Sequence, residues 1–275
     1  MHTRPLEEVI CHELSHIYRA ETGGTAHNAR LSMQLLRSEN GKITAEQVAA
    51  AIQLDRDWLP RTSLVVVENT ANIAGGAFYT QAEMQAISTL CLEKNIKLHL
   101  DGARIFNALA ETHDKPHEIG ALFDSISVCL SKGLGAPVGS LLVGSADFIK
   151  EARRFRKAMG GGMRQAGFLA AAGIYALDNH VLRLTQDHAH ARILAQALAK
   201  LDFVENIRAV QTNIVIFDVK KPLTADIYLA QLAKKGIKAA AFGPQTIRFV
   251  THLDFTNAML QTVLENLYIP TIVFG

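Results

Sequence analysis

Cysteine, long apolar runs and excess charge of one sign are all scarce in this chain of 275 residues. Its three cysteines, Cys11, Cys91 and Cys129, lack the spacing of a metal site and fit a reducing, cytoplasmic compartment. No apolar stretch approaches the roughly 18 residues of a membrane helix, and the first residues are no secretory signal. A net charge of +2, spread along the chain, gives no reason to expect nucleic acid or an acidic surface as a partner.

Apolar strands alternate with helical patterns over residues 1–145. The run 63–68 is rich in β-branched residues without polar alternation, which is typical of a strand buried on both faces. Capping boxes at Thr44 and Thr80 predict the starts of two helices. The pattern predicts an α/β fold with a mostly parallel sheet and helices on both faces.

Beyond residue 145 the pattern changes to long helices, predicted at 146–159, 165–177 and 179–201. A small α/β unit follows, with strands at 213–218 and 247–250 and helices at 225–234 and 256–267. We therefore expect a large domain over 1–180, and a linking helix with a small C-terminal α/β domain over 181–275.

The most informative residues are a lysine and an aspartate at two neighbouring strand ends. Lys132 follows the apolar run 126–130, and Asp101 follows the run 96–100. Open α/β sheets bind ligands at the carboxyl ends of their strands. A lysine there can form a Schiff base with the aldehyde of pyridoxal phosphate (PLP). A carboxylate can hold the pyridine nitrogen protonated, so that the ring accepts electrons.

Four strings carry a resemblance to a known family: LDGARIFN at 100–107, CLSKGLG at 129–135, GGGMRQ at 160–165 and RFVTH at 248–252. Together, and in this order, they closely resemble the low-specificity L-threonine aldolases. The resemblance implies the PLP-dependent transferase fold of type I and a homodimer or homotetramer. It also implies the cleavage of L-threonine or L-allo-threonine to glycine and acetaldehyde, with PLP as the cofactor. We identify no metal-ligating residues in the sequence, and a cation at a subunit interface stays open.

The resemblance also implies residue roles. Lys132 would hold PLP, and Asp101 would bind its ring nitrogen. Arg104 would contact the cofactor or the substrate near the ring. Arg248 would grip the substrate carboxylate, because a planar guanidinium pairs with a carboxylate through two bonds. Holding that carboxylate selects the bond that breaks.

Four further residues receive supporting roles from the same resemblance. His16 matches a histidine that stacks on the PLP ring, and it is a candidate base because imidazole titrates near neutral pH. Glu68 would orient a water molecule or His16. Lys157 and Arg164 flank the triple glycine, in a segment that reaches the active site in the family.

One family feature has no counterpart in this sequence. The resemblance implies an earlier N-terminal segment with a Gly-Thr-Gln-Ala-Asn type of turn that cradles the PLP phosphate, and no such string occurs here. We therefore expect the chain to lack that segment. Two alternatives stay open: another lyase or a transaminase of the same fold, and a non-catalytic remnant that acts only as an assembly partner.

Overall fold

A computed structural model describes residues 1–268 of the chain. Two sheets organise it, and the larger has six strands in the order β2-β1-β3-β4-β5-β6. Its strands are parallel except β6, which runs antiparallel to β5. These strands are β1 (Glu8–His12), β2 (Ser32–Leu36), β3 (Thr62–Glu68), β4 (Lys97–Gly102), β5 (Ser125–Cys129) and β6 (Ser140–Gly144).

Helices connect and cover the strands of this larger sheet. They are α1 (His16–Arg19), α2 (Ala45–Ala51), α3 (Gln81–Glu93), α4 (Ile105–Thr112) and α5 (Pro116–Gly120), with a π-helical turn at Thr25–Ala29. Both predicted capping boxes are present, since the side chains of Thr44 and Thr80 accept N–H groups of the first turns of α2 and α3. Apolar side chains of β3 and β4 form the core with these helices, because both central strands are covered.

Long helices follow, and then a smaller antiparallel sheet in the order β7-β8-β10-β9. These elements are α6 (Ala146–Ala158), α7 (Gly167–His180), α8 (Leu184–Leu198), β7 (Val204–Glu205), β8 (Ile214–Val219), α9 (Ala225–Ala233), β9 (Ala240–Ala241), β10 (Thr246–Val250) and α10 (Asn257–Asn266). The predicted α/β fold with a mostly parallel sheet is confirmed. The domain boundary at residue 180 stays a prediction.

The predicted start of the third long helix at residue 179 is wrong. Asn179 lies in the last turn of α7, and the next helix begins only at Leu184. Neither glycine nor proline occurs within residues 174–201, so the sequence carries no local signal for the exact position of this break. A tertiary contact marks it instead, since His180 Nδ1 lies 2.6 Å from the carbonyl oxygen of Leu134.

Candidate active site

The parallel register brings two carboxylates side by side at the edge of the larger sheet. Glu68 and Asp101 are cross-strand partners at the ends of β3 and β4. Asp101 is buried, and its carboxylate accepts the backbone N–H of Ala103 at 3.2 Å. The next strand, β5, pairs with Asp101 through Ser127. Polar groups of three adjacent strands therefore meet at one edge, because parallel strands end on the same side.

Lys132 follows β5 in a loop that its own backbone holds in shape. The carbonyl of Lys132 accepts the N–H of Gly135 at 2.9 Å, and that of Leu130 accepts the N–H of Ala136 at 3.0 Å. Gly135 has a φ of +71°, a backbone conformation that residues other than glycine adopt only at a cost in free energy. The Lys132 side chain is half-buried. The loop thus places Lys132 after β5, the strand that pairs with the Asp101 strand β4.

A cavity of about 370 Å³ lies beside the lysine. Its wall includes Arg104 as well as Lys132, and two residues from the second sheet region, Asn213 and His252. Asn213 is 1% exposed, and its Oδ1 has no hydrogen-bond partner among residues 1–268. Such unsatisfied buried acceptors are uncommon in proteins, and each calls for a specific explanation.

Arg104 is half-buried and lies close to a second arginine. Its Nε has no hydrogen-bond partner within the described residues. Burial lowers the pKa of Arg104 first of all, and the like charge of Arg248 lowers it further, whereas Glu68 and Asp101 raise it. A guanidinium keeps its charge even so. Two neighbouring cations with unused donors form a site for an anion.

Arg248 reaches this site from β10 of the smaller sheet. Its Nη1 donates to Oδ1 of Asn72 at 2.8 Å, and its guanidinium carbon lies 4.3 Å from the centre of the Phe242 ring. Its Nε is buried without a partner in the described part of the chain. Burial lowers the pKa of Arg248. Asn72 and Phe242 fix the guanidinium plane, and they leave donors free for a ligand.

Glu68 ties His16 to this edge through the backbone. The Glu68 carboxylate accepts the N–H of His16 at 2.7 Å and the N–H of Asn72 at 2.9 Å. Burial raises the pKa of Glu68, and the nearby charge of Asp101 adds to the effect. The His16 imidazole is half-buried, and its Nε2 lies 3.1 Å from Oε1 of Glu21. The Glu68 carboxylate thus lies near the charge of Arg104 and holds the backbone of His16, whose imidazole contacts Glu21.

Two of the residues singled out in the sequence stay apart from this arrangement. Lys157 lies near the end of α6 and Arg164 follows the triple glycine, and both are exposed. Within residues 1–268, neither lines the Lys132 cavity or makes a polar contact with a residue of this edge. The structure of one chain therefore joins six of the eight predicted residues: Lys132, Asp101, Arg104, Arg248, Glu68 and His16.

Three residues of the site were not predicted: Asn72, Asn213 and His252. His252 was within reach of sequence reasoning, because it ends the RFVTH string that contains Arg248. Asn72 and Asn213 carry no such signal, since only the fold brings them to Arg248 and to the cavity. Among the described residues, no group of three or more His, Cys, Asp or Glu could hold a metal ion.

Comparison with known proteins identifies the family of this chain. A family model described as beta-eliminating lyase matches residues 1–222. The chain belongs to the beta-eliminating lyase family. It is 39% identical over 258 residues to the low specificity L-threonine aldolase of Escherichia coli K12, covering 94% of this chain and 75% of that protein. It is 36% identical over 264 residues to the low-specificity L-threonine aldolase 1 of Arabidopsis thaliana, covering 94% and 74%.

A solved structure supports the same fold for this lyase-family chain. The threonine aldolase of Leishmania major superposes with a TM-score of 0.82 at 23% identity, covering 96% of this chain and 78% of that one. The chain thus spans about three quarters of the length of the relatives it matches. No helix within residues 1–268 is both long enough and apolar enough to cross a membrane.

Proposed function

We propose that this chain cleaves L-threonine and L-allo-threonine to glycine and acetaldehyde with PLP as its cofactor. One observation carries the proposal: Arg104 and Arg248 keep buried, unpartnered guanidinium nitrogens among the described residues, close to a lysine and a carboxylate. Homology to the low-specificity L-threonine aldolases supports it.

The side chains at this edge fit PLP in chemical terms. Lys132 supplies the amine that an aldehyde needs, and Asp101 supplies an anion for a protonated ring nitrogen. The unused donors of Arg104 and Arg248 suit the anionic oxygens of the cofactor and of an amino acid. When bound, PLP would supply an electron sink for the pair of electrons that the broken Cα–Cβ bond releases.

The chain's own residues would then orient the substrate and move one proton. Arg248, held by Asn72, would bind the α-carboxylate and so set the angle of the Cα–Cβ bond. The proton of the β-hydroxyl would leave to a base on the Glu68 and His16 side. The raised pKa of Glu68 brings that carboxyl closer to the pH at which proton transfer is most effective. The same carboxylate holds the backbone N–H of His16, whose imidazole is the second candidate base.

Product analysis tests this proposal. The purified chain is incubated with PLP and L-threonine, and acetaldehyde, glycine, ammonia and keto acid are measured. We expect equal amounts of acetaldehyde and glycine. Ammonia with a keto acid would contradict aldol cleavage and favour an eliminating lyase of the same fold, whereas transfer of the amino group to PLP would favour a transaminase.

We further propose that copies of this chain associate with one another. The accessible surface is 15316 Å², whereas a compact monomer of 30.0 kDa has about 11,700 Å². Of the 22 large apolar residues that are exposed within residues 1–268, 11 lie between residues 138 and 182. Association would bury this stretch, which includes Lys157 and Arg164. The cysteines, which form no disulfide within residues 1–268, support a reducing, cytoplasmic location.

A further inference from the structure

A buried polar chain that takes no direct part in the proposed reaction lies beneath the Lys132 loop. It runs from Glu111 of α4 through His188 of α8 to Asn107 of α4. The His188 imidazole is fully buried, and its Nδ1 lies 2.5 Å from Oε1 of Glu111. Its Nε2 lies 3.0 Å from Nδ2 of Asn107. Both ring nitrogens therefore have partners, which fixes the orientation of the ring.

The partners define the tautomer of His188. The amide nitrogen of Asn107 can only donate, so Nε2 of His188 accepts, and Nδ1 carries the hydrogen that the Glu111 carboxylate receives. Burial lowers the pKa of His188, while Glu111 acts in the opposite direction. A neutral imidazole in this tautomer holds the Asn107 amide nitrogen toward α8 and leaves its oxygen to face the opposite side.

That oxygen faces the residue after the lysine. A Cβ built on Gly133 would lie 3.1 Å from Oδ1 of Asn107 and 3.0 Å from a methyl carbon of Leu184. Asn107 is 2% exposed, so the amide has little room to move away. The Lys132 loop thus packs on the end of this polar chain at Gly133, the residue that directly follows the lysine.

The same turn of α8 also holds the other wall of the cavity. Thr251 donates its hydroxyl hydrogen to the carbonyl of Asp187 at 2.6 Å. Thr251 directly follows β10, which carries Arg248, and precedes His252 of the cavity wall. Asp187 is itself held by an ion pair with Arg183 on the same helix. Residues 187 and 188 therefore contact both the lysine side and the arginine side of the site.

We propose that His188 is a positioning residue that, held by Glu111, fixes the Asn107 amide under Gly133 and so fixes the backbone that carries Lys132. This role rests on the proposed function only in that it assigns Lys132 to the cofactor. It gives a reason for an imidazole in the interior, where an apolar side chain would pack without the cost of removing polar groups from water.

Two volume-conserving variants test the proposal. His188→Phe keeps a ring and removes both hydrogen bonds, and Asn107→Leu keeps the side-chain size and removes one. Hydrogen–deuterium exchange of the cofactor-free chain is measured at the amides of Gly135 and Ala136, which are hydrogen-bonded within the loop. We expect exchange there to be about tenfold faster in both variants. The visible band of added PLP should also shift or weaken in both.

Arg192→Ala is the matched control. Its Nη1 lies 3.3 Å from the same Glu111 oxygen, but the side chain is 44% exposed and makes no polar contact with Asn107. Exchange at the loop should stay at the wild-type rate in this variant. If His188→Phe does not fold, Asn107→Leu and the milder His188→Gln provide the same comparison.

Two outcomes overturn the proposal. One is an unchanged exchange rate at Gly135 and Ala136 in folded Asn107→Leu and His188 variants. The other is exchange that rises equally throughout α4 and α8 in proportion to lost stability, with an unchanged PLP band, since that indicates a merely structural role. Failure of the chain to take up any PLP contradicts the proposed function instead, and the exchange measurement still decides the role of His188.

Discussion

The carboxylate of Glu68 accepts the backbone N–H of His16 at 2.7 Å, across 52 positions of the chain. The same carboxylate holds the N–H of Asn72, whose side chain in turn binds Arg248. One buried acid thus connects the backbone of His16, the Asn72 that binds Arg248, and the end of β3. The site depends on this acid for its geometry, whichever group moves the proton.

Replacement of Glu68 therefore lowers stability according to how many acceptors it removes. Glu68→Ala leaves two backbone N–H groups without their acceptor, and each costs about 1–3 kcal/mol. Glu68→Gln keeps one carbonyl oxygen and should lose less. Urea unfolding monitored by circular dichroism measures both. Equal stability of the alanine variant and the wild type would contradict the role given to these two bonds.

The pH dependence of Glu68→Gln provides a second, independent test. Burial raises the pKa of Glu68 in the folded chain above its value in the unfolded chain. The protonated acid is therefore compatible with folding below the unfolded pKa, and stability is lost as the pH rises through the folded pKa. The stability of the wild type relative to Glu68→Gln should fall as the pH rises from about 4. A difference that is constant with pH would contradict this sign.

Arg248 variants separate charge from geometry. Arg248→Lys keeps a positive charge but loses the planar fork, so the KM for threonine should rise by about tenfold. Arg248→Ala loses one or two charge-assisted hydrogen bonds and should raise KM by about 100-fold or more. Asn72→Ala should have a smaller effect in the same direction, because it loosens the guanidinium. Steady-state kinetics decides, and a wild-type KM in Arg248→Ala contradicts the assignment.

Two histidines that share one hydroxyl group, His2 and His99, predict how the stability of the folded chain changes at low pH. His2 and His99 both contact the hydroxyl of Ser125, at 2.7 Å each. Burial lowers the pKa of His2 to about 4, and it lowers the pKa of His99 as well. Between the folded and unfolded pKa values the unfolded chain binds more protons, so stability falls as the pH drops from 6.5 toward 4.

His2→Gln should flatten that part of the stability profile, because it removes one of the groups that titrates. The measurement is the urea midpoint at several pH values between 7 and 4.5. His113→Gln, on the surface after α4, is the control and should keep the wild-type slope. If the urea midpoint changed with pH equally in His2→Gln and in the wild type, His2 would not contribute to the loss of stability in acid.

The outermost strand of the larger sheet, β6, leads us to expect that copies of the chain associate. All five residues of β6 are exposed, including Leu141, Leu142 and Val143. Uncharged apolar edge strands invite pairing, and a lysine on them blocks it. Leu142→Lys should shift sedimentation toward the monomer at a given concentration, whereas Leu92→Lys, exposed on α3, should not. Monomeric wild type at all concentrations would contradict self-association.

Much of the architecture could be predicted because local signals were strong. The β-branched run of β3 and the capping boxes of α2 and α3 are patterns whose physical cause lies within a few residues. The break between α7 and α8 was predicted a few residues too early, since no local signal fixes its position and a contact between His180 and a distant carbonyl lies there. Helix α4 was missed because it is short and begins within the LDGARIFN string, at Ile105.

The site divides in the same way. Lys132, Asp101 and Arg248 lie in or next to recognisable sequence strings, so they could be predicted as site residues from the sequence. Asn72 and Asn213 could not be nominated, because their significance comes from the groups that the fold sets against them. The buried chain through His188 is the clearest case, since its three members come from α4 and α8 and share no sequence pattern.

In the proposed function, Lys132 holds the cofactor and Asp101 lies at the opposite end of its ring. The most direct measurement adds PLP to the purified chain, records the visible absorbance, and then reduces with borohydride and maps the modified peptide by mass spectrometry. We predict a yellow band and a pyridoxyl group on Lys132, both lost in Lys132→Ala and retained in Lys94→Ala. A band that survives in Lys132→Ala, or no band in the wild type, would contradict the account.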